Sequence, residues 1–362
     1  MKSDAKREAP RKIDIHYVAA HAGVSIATVS RTLNRVPTVN PVLADRVWKS
    51  VAELNYLPNT QARALVSGKS KLLGLIVSEI TNPFFPELIQ EFERVAVERG
   101  YEILIASTSH DSNKMEVVAR RMLERKVDGV AIMTFGFGET FLDRFAAIDI
   151  PSIFVDTPSR HPRSSTLTVD YREGLSEAVQ HLALLGHRKI GFITGPLHLR
   201  SAQARRTAFL DSLKASGIAP DKSWIIEGDH TLDGGRDAMN KILALNLWPT
   251  AIMCSNDMTA IGVQHALFEA KLTVPGDFSL IGFDNIHLAE YTIPPLTTVR
   301  MSCKDLAQKA VRSLLSHLQT DTTPETEAII PTRLIVRQTT GQPKSPTARP
   351  SKAPARKPPS RP

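Results

Sequence analysis

The sequence predicts an N-terminal all-α head carrying a helix-turn-helix, followed by an α/β body of two doubly wound lobes. Two observations carry this. The first sixty residues have no strand signal and hold three short amphipathic stretches. From Lys71 onward, short apolar runs alternate with helix-length segments in two successive series.

In the head, "IDIHYVAAHAG" offers Asp14 as an N-cap, with apolar Ile15, Val18, Ala19 and Ala22 on one helical face. Gly23 ends that helix, and Ser25 caps the next, expected over Ile26 to Asn34. "NPVLADRVWKSVAELNY" is the third helix, with Pro41 in its first turn. Two helices joined by a tight glycine turn, with a third behind them, form a helix-turn-helix pattern. The second helix, within "GVSIATVSRTLN", is almost uncharged. That makes a poor water-facing surface but suits a helix lying in a DNA groove. Ser25 and Thr28 are then expected to position phosphates, Ile26 and Ala27 to meet base edges, and Arg31 to reach a guanine or a phosphate. Val24, Val29 and Leu33 are expected in the core. A small helical domain that binds protein is the alternative.

In the body, "KLLGLIVSEI", "YEILIAST", "VDGVAIMT" and "IPSIFVDT" read as buried strands, with "FPELIQEFERVAVERG" and "NKMEVVARRMLERK" as helices among them. "HRKIGFITG", "SWIIEGD", "PTAIMCSND" and "FSLIGFDN" form the second series, and the join lies near Asp170. Strand–helix–strand spacing implies right-handed crossovers and parallel sheets. Two facing lobes of this kind make a cleft at their strand ends that fits a small molecule.

Charge is unevenly placed. Residues 1–71 carry 12 Lys/Arg against 5 Asp/Glu, and residues 341–362 carry 6 basic residues and no acid. The stretch between holds 27 basic and 32 acidic residues. A cationic end on a mildly acidic body implies an anionic polymer as the partner of that end. By charge alone, membrane surface and nucleic acid both qualify. The first 12 residues and the Pro/Lys/Arg-rich tail 341–362 are expected to be disordered.

Several classes are disfavoured. The N-terminus lacks an apolar signal-like run, and no segment has the length needed to span a bilayer. Cys254 and Cys303 lack metal-site spacing, and packing is their expected role. "FGFGET" resembles a phosphate-binding loop, but Phe141 stands where its last glycine is needed. His110, His181, His187, His198 and His230 show no metal-ligand spacing. No nucleophile or base can be named, so the chain is not expected to be an enzyme, and neither metal nor cofactor is expected.

The blocks "VAAHAGVSIATVSRTLN", "VAELNYLPNTQARALVSGKS", "NPFFPELI", "GHRKIGFITGP", "SNDMTAIG", "LIGFDN" and "IPPLTTVR", in this order, resemble the LacI/GalR family of bacterial transcription repressors. The resemblance runs from about Ile13 to Thr340. Tyr17 departs from it, standing where the family usually has an acidic residue. The resemblance implies a homodimer on a pseudo-palindromic operator, in the cytoplasm, with a body built like a periplasmic binding protein. The implied organisation is a head at 13–58, a hinge helix at 59–70 and a body at 71–340. Lobe 1 would take about 71–170 and 301–326, and lobe 2 about 171–300 and 327–340. Leu65 would be the hinge wedge that kinks DNA. Ser30, Asn34, Asn59 and Ala62 would complete the DNA-facing set. The effector, a sugar or similar polar molecule, would meet Phe84, Asp156, Arg205, His230, Asn256 and Asp284. His230 holds a position often aromatic in sugar-binding relatives. A sugar-binding receptor with no DNA role is the rival, opposed by the basic helical head.

Overall fold

The computed structural model describes residues 13–34, 36–57, 68–109, 111–134, 145, 148–158, 161–319 and 326–344. The chain divides into two compact units, Met1–Ser70 and Lys71–Pro362.

Among the described residues of the first unit there are three helices: α1 (Ile15–Ala22), α2 (Ile26–Leu33) and α3 (Pro41–Glu53). The Asp14 side chain caps α1 by accepting the Tyr17 N–H, and Ser25 caps α2 by accepting that of Thr28. Between them Gly23 takes a left-handed backbone, φ 63°, which an L-residue adopts only under strain. A Cβ there would also run into the Arg46 guanidinium, which donates from α3 to the Gly23 carbonyl at 3.2 Å. Val18, Ala19, Ala22, Val29 and Val47 make the small core, with Val24 and Leu33 packed partly buried against it.

Two similar lobes make up the second unit. In lobe 1, strands β1 (Leu72–Val77), β2 (Glu102–Ser107), β3 (Gly129–Met133), β4 (Ser152–Val155) and β5 (Ser164–Asp170) pair in the order β2-β1-β3-β4-β5, all parallel. In lobe 2, β6 (Ile190–Thr194), β7 (Ile225–Glu227), β8 (Ala251–Cys254), β9 (Ser279–Asp284) and β10 (Thr297–Met301) repeat the pattern as β7-β6-β8-β9-β10, again parallel. The central strands β1, β3 and β8 are continuous apolar runs because helices cover both faces. Helices α4 (Phe84–Glu98), α5 (Ser112–Glu124) and α10 (Cys303–Ser316) pack on lobe 1. Helices α6 (Tyr171–Leu184), α7 (Arg200–Ala215), α8 (Leu232–Leu243) and α9 (Asp257–Glu269) serve lobe 2.

The chain crosses between lobes where β5 runs into α6, where β10 leads to α10, and within β11 (Glu327–Ile335). The first part of β11 runs parallel to β5, ending at Pro331 opposite Asp170. From Thr332, opposite Met301, it runs antiparallel to β10. Proline has no N–H to donate, so it tolerates the point where one ladder ends and the other begins. Thr332 secures that point: its hydroxyl donates to the Asp170 carbonyl at 2.6 Å and accepts the Gly174 N–H at 2.9 Å.

The chain then packs along the amino ends of the lobe 2 strands. Thr339 donates to the Leu280 carbonyl, and the Gly341 N–H binds Ser279 Oγ. The buried His187 contacts Ser279 Oγ and the Gly341 carbonyl, both at 2.9 Å. Cys254 is buried as expected, whereas Cys303 is only partly so, and both are free thiols. Among the described residues no helix is long and apolar enough to cross a membrane.

Candidate functional site: a groove-facing helix and an interlobe cleft

On the head, burial splits α2 into two faces. Val29 and Thr32 point inward, while Ile26, Ala27, Arg31 and Asn34 are exposed, with Ser30 at the margin. Ile26 is 42% exposed on that outward face. The Ser25 and Thr28 hydroxyls lie 2.9 Å apart, so each already has a partner within the helix start. Any phosphate they meet must share them with the cap. Asn59, Ala62 and Leu65 lie outside the described residues.

The body's cavity opens where the carboxyl ends of the two sets of strands face each other, as open parallel sheets dictate. It is partly enclosed and partly open to solvent. Lobe 1 supplies Ser78, Glu79, Asn82, Phe84 and Phe85, and lobe 2 supplies Arg205, His230, Asn256 and Asp284 among others. Five of the six expected effector contacts therefore line one cavity. The sixth, Asp156, stands behind it: its carboxylate accepts the Tyr171 hydroxyl at 2.5 Å and the Val169 N–H at 2.9 Å.

Arg205 is central, and the sequence explains its place. On α7 the buried face includes Ser201, Ala202, Arg205, Ala208, Phe209 and Ser212, a helical spacing that drives the guanidinium inward. It lies 4.1 Å above the Phe283 ring and 5.0 Å from that of Tyr171, so the cation rests on aromatic faces. Its Nη1 donates to the Ser255 carbonyl and its Nη2 stands 3.7 Å from Asp284. Its Nε and the neighbouring Ser255 Oγ are buried with no hydrogen-bond partner among the described residues. Buried donors of this kind are costly unless something accepts from them.

Asp284 ends β9 with φ 108°, a conformation that costs free energy and is typical of functional positions. Burial pushes its pKa up to about 7, against the opposing pull of Arg205, with Glu87 adding a smaller upward push. Burial also raises Asp156, despite its two hydrogen bonds, and Asp257, which is fully buried beneath Asp284. His230 has φ 68°, and its carbonyl accepts from Asn256 Nδ2 at 2.9 Å. The other end of the Asn256 amide caps α9 through the Thr259 N–H. Gly195 provides the floor beneath the imidazole, since any Cβ there would overlap the ring. Glu87 and Ser255 lie within the blocks "NPFFPELI" and "SNDMTAIG", yet their roles, like that of Tyr171, arise only from tertiary position.

Chemically, the cleft offers a guanidinium, an amide, an acid that can donate as well as accept, and aromatic rings. Such a set of groups is chemically able to hold a polar molecule with an apolar face.

Comparison with known proteins fits both units. Residues 14–59 match the model for bacterial regulatory proteins of the lacI family, and residues 179–340 match a periplasmic binding protein-like domain. The HTH-type transcriptional repressor PurR of Glaesserella parasuis is 33% identical over 314 residues, 87% of this chain and 92% of that protein. The chain belongs to the lacI family. The fold of a lacI-family member is evident in the lac repressor dimer bound to operator and the anti-inducer ONPF, with TM-score 0.82 and 27% identity over 91% of this chain and all of that one. The CelR–cellobiose complex, also a transcriptional regulator, has TM-score 0.67 and 25% identity over 91% of this chain and all of that one. This lacI-family protein is a DNA-binding transcriptional repressor, and its relatives are regulators of the same class rather than enzymes.

Proposed function

We propose that the protein is a homodimeric repressor whose hold on a pseudo-palindromic operator is set by a small polyhydroxylated effector, a sugar or sugar derivative. The observation that carries the effector is the convergence of Phe84, Arg205, His230, Asn256 and Asp284 on one cavity between lobes. A sugar hydroxyl both donates and accepts, and a protonatable Asp284 beside a fixed Arg205 can answer both roles. Phe84 and His230 supply faces for the C–H side of a pyranose ring. Asp156 acts from behind through Tyr171 and the Arg205 charge.

On the DNA side, Ile26 and Ala27 read base edges, Arg31 meets a guanine or phosphate, and Ser25, Thr28, Ser30 and Asn34 approach the backbone. Asn59, Ala62 and Leu65 form the hinge, with Leu65 as the wedge. Ligand and operator are linked reciprocally, each changing the other's affinity by the same factor. Such a protein works in the cytoplasm, where the chromosome is.

The test is a thermal-shift screen of the full chain against sugars, sugar acids and nucleobases, since a ligand that binds only the native state raises Tm. A carbohydrate that raises Tm in the native protein and not in Arg205→Ala supports the reading. A nucleobase that does so, with no carbohydrate active, overturns the ligand class.

A further inference from the structure

Helix α4 belongs to lobe 1, yet the carboxylate of Glu87 in its first turn accepts the backbone N–H of His287 at 2.8 Å. His287 opens a short 3-10 turn, His287–Glu290, between β9 and β10 of lobe 2. The partners are 200 positions apart, so the bond joins the lobes through space, near the β10–α10 crossing where Cys303 Sγ lies 3.8 Å from the Phe84 carbonyl.

The segment that carries His287 begins at the effector cleft. Asp284 and Asn285 have φ of 108° and 59°, so this backbone is bent into conformations that non-glycine residues rarely adopt. It is clamped in place. The Ile286 N–H donates to Asp257 Oδ2 at 2.9 Å, and Arg337 Nη2 donates to Asn285 Oδ1 at 2.8 Å. Two clamped residues, Asn285 and Ile286, separate the cleft-lining Asp284 from the amide that Glu87 holds, so the path between cleft and latch is short and held at both steps. Glu87 also senses Asp284 through space, since its charge disfavours ionisation of that acid.

We propose that Glu87 is a positioning residue that latches lobe 1 to lobe 2 beside the cleft, so that a ligand contacting Asp284 acts on the lobe angle through the Glu87–His287 bond. This rests on the effector-cleft reading for its purpose, but the latch itself is a property of the ligand-free chain.

Hydrogen exchange of the full-length protein, without ligand, tests it in Glu87→Gln and Glu87→Ala. A hydrogen bond from an amide to a charged acceptor is among the stronger ones, and exchange reports its opening. In Glu87→Ala, peptides covering residues 286–291 are expected to exchange about tenfold faster or more, while peptides covering 257–263 of α9 keep native protection. Glu87→Gln, whose amide oxygen can still accept, is expected to stay close to native. Native exchange at 286–291 in Glu87→Ala overturns the latch. So does acceleration spread evenly over both lobes, which would make Glu87 a general stability element, and so does a Glu87→Gln variant as fast as Glu87→Ala. Because no ligand is present, failure here leaves the effector reading standing, and failure of the ligand screen leaves the latch standing.

Discussion

Arg205 Nη2 stands 3.7 Å from Asp284 Oδ1, and both side chains are almost wholly withdrawn from water. A cation and an acid buried together depend on each other: removing either one strands the other without compensation. The pair also sits on the wall of the cleft, so the same two groups bear on stability and on ligand binding.

Arg205→Ala is accordingly expected to lower stability by about 3 kcal/mol, the usual cost of breaking a buried pair from one side. The isolated head has no part in this pair, so operator binding should persist while the ligand-induced Tm shift disappears. Denaturant melts with and without a stabilising sugar measure both effects. A variant with the native ligand shift would mean that the cleft has been misread.

The raised pKa of Asp284 has a definite sign. Its folded-state pKa of about 7 lies well above the ordinary Asp value near 3.9, so the folded state holds the proton more tightly. Its contribution to stability is therefore full below about pH 4 and is lost as pH rises to about 7. Asp284→Asn keeps a side chain that tolerates positive φ and removes the proton. The stability difference between the native protein and this variant should shift against the native protein across that window, by up to about 1.4 kcal/mol per pH unit. A difference that stays flat from pH 4 to 7 would contradict the assignment.

Ser25 lets two roles be separated. Ser25→Ala should cost the head about 1 kcal/mol by removing the cap on the Thr28 N–H, along with any phosphate contact. Ser25→Asp caps equally well and favours the helix N-terminus, yet places a negative charge toward DNA. A normal melting temperature combined with a loss of operator binding is expected for Ser25→Asp. Normal DNA binding by this variant would remove Ser25 from the interface.

Ile26 and Ala27 should behave differently from Arg31. All three are exposed, so substituting them should leave the fold's stability within about 0.5 kcal/mol. Exchanging Ile26 or Ala27 should change the preferred operator sequence without altering salt dependence. If Arg31 binds a phosphate, Arg31→Ala should lower the slope of log affinity against log salt by about one. If it reads a guanine, selectivity at one base pair should relax instead.

Gly195→Ala tests the placement of His230. The new methyl must push the imidazole out of its seat in the cleft. Ligand selectivity should change, and binding of the best native ligand should weaken about tenfold or more, while DNA binding is kept. Unchanged selectivity would take His230 out of ligand contact.

Much of this was legible in the sequence because it is written locally. Asp14 and Ser25 announced their caps, Gly23 its left-handed turn, and the apolar runs from Leu72 to Asp284 their strands. The cleft residues were legible through family likeness, and five of them meet at one cavity because each follows the carboxyl end of a strand or lines a helix facing it. The roles of Glu87, Ser255 and Tyr171 were not legible, since an interlobe hydrogen bond, an orphaned hydroxyl and a ring under a guanidinium exist only once distant segments meet. The partnering of Ser25 with Thr28 was also hidden: both hydroxyls looked available for phosphate, but the helix start uses them first.

Strand β11 threads both lobes, changing partner between Pro331 and Thr332. Side chains alternate faces along a strand, so its first residues set the register of one lobe and its last residues that of the other. Adding or deleting a single residue in β11 would leave one sheet in order and turn the other inside out. The lobes look like a duplicated pair that could be exchanged between relatives one at a time. This shared strand ties them together, and a chimera that swaps one lobe must count residues through Pro331 or inherit a scrambled neighbour.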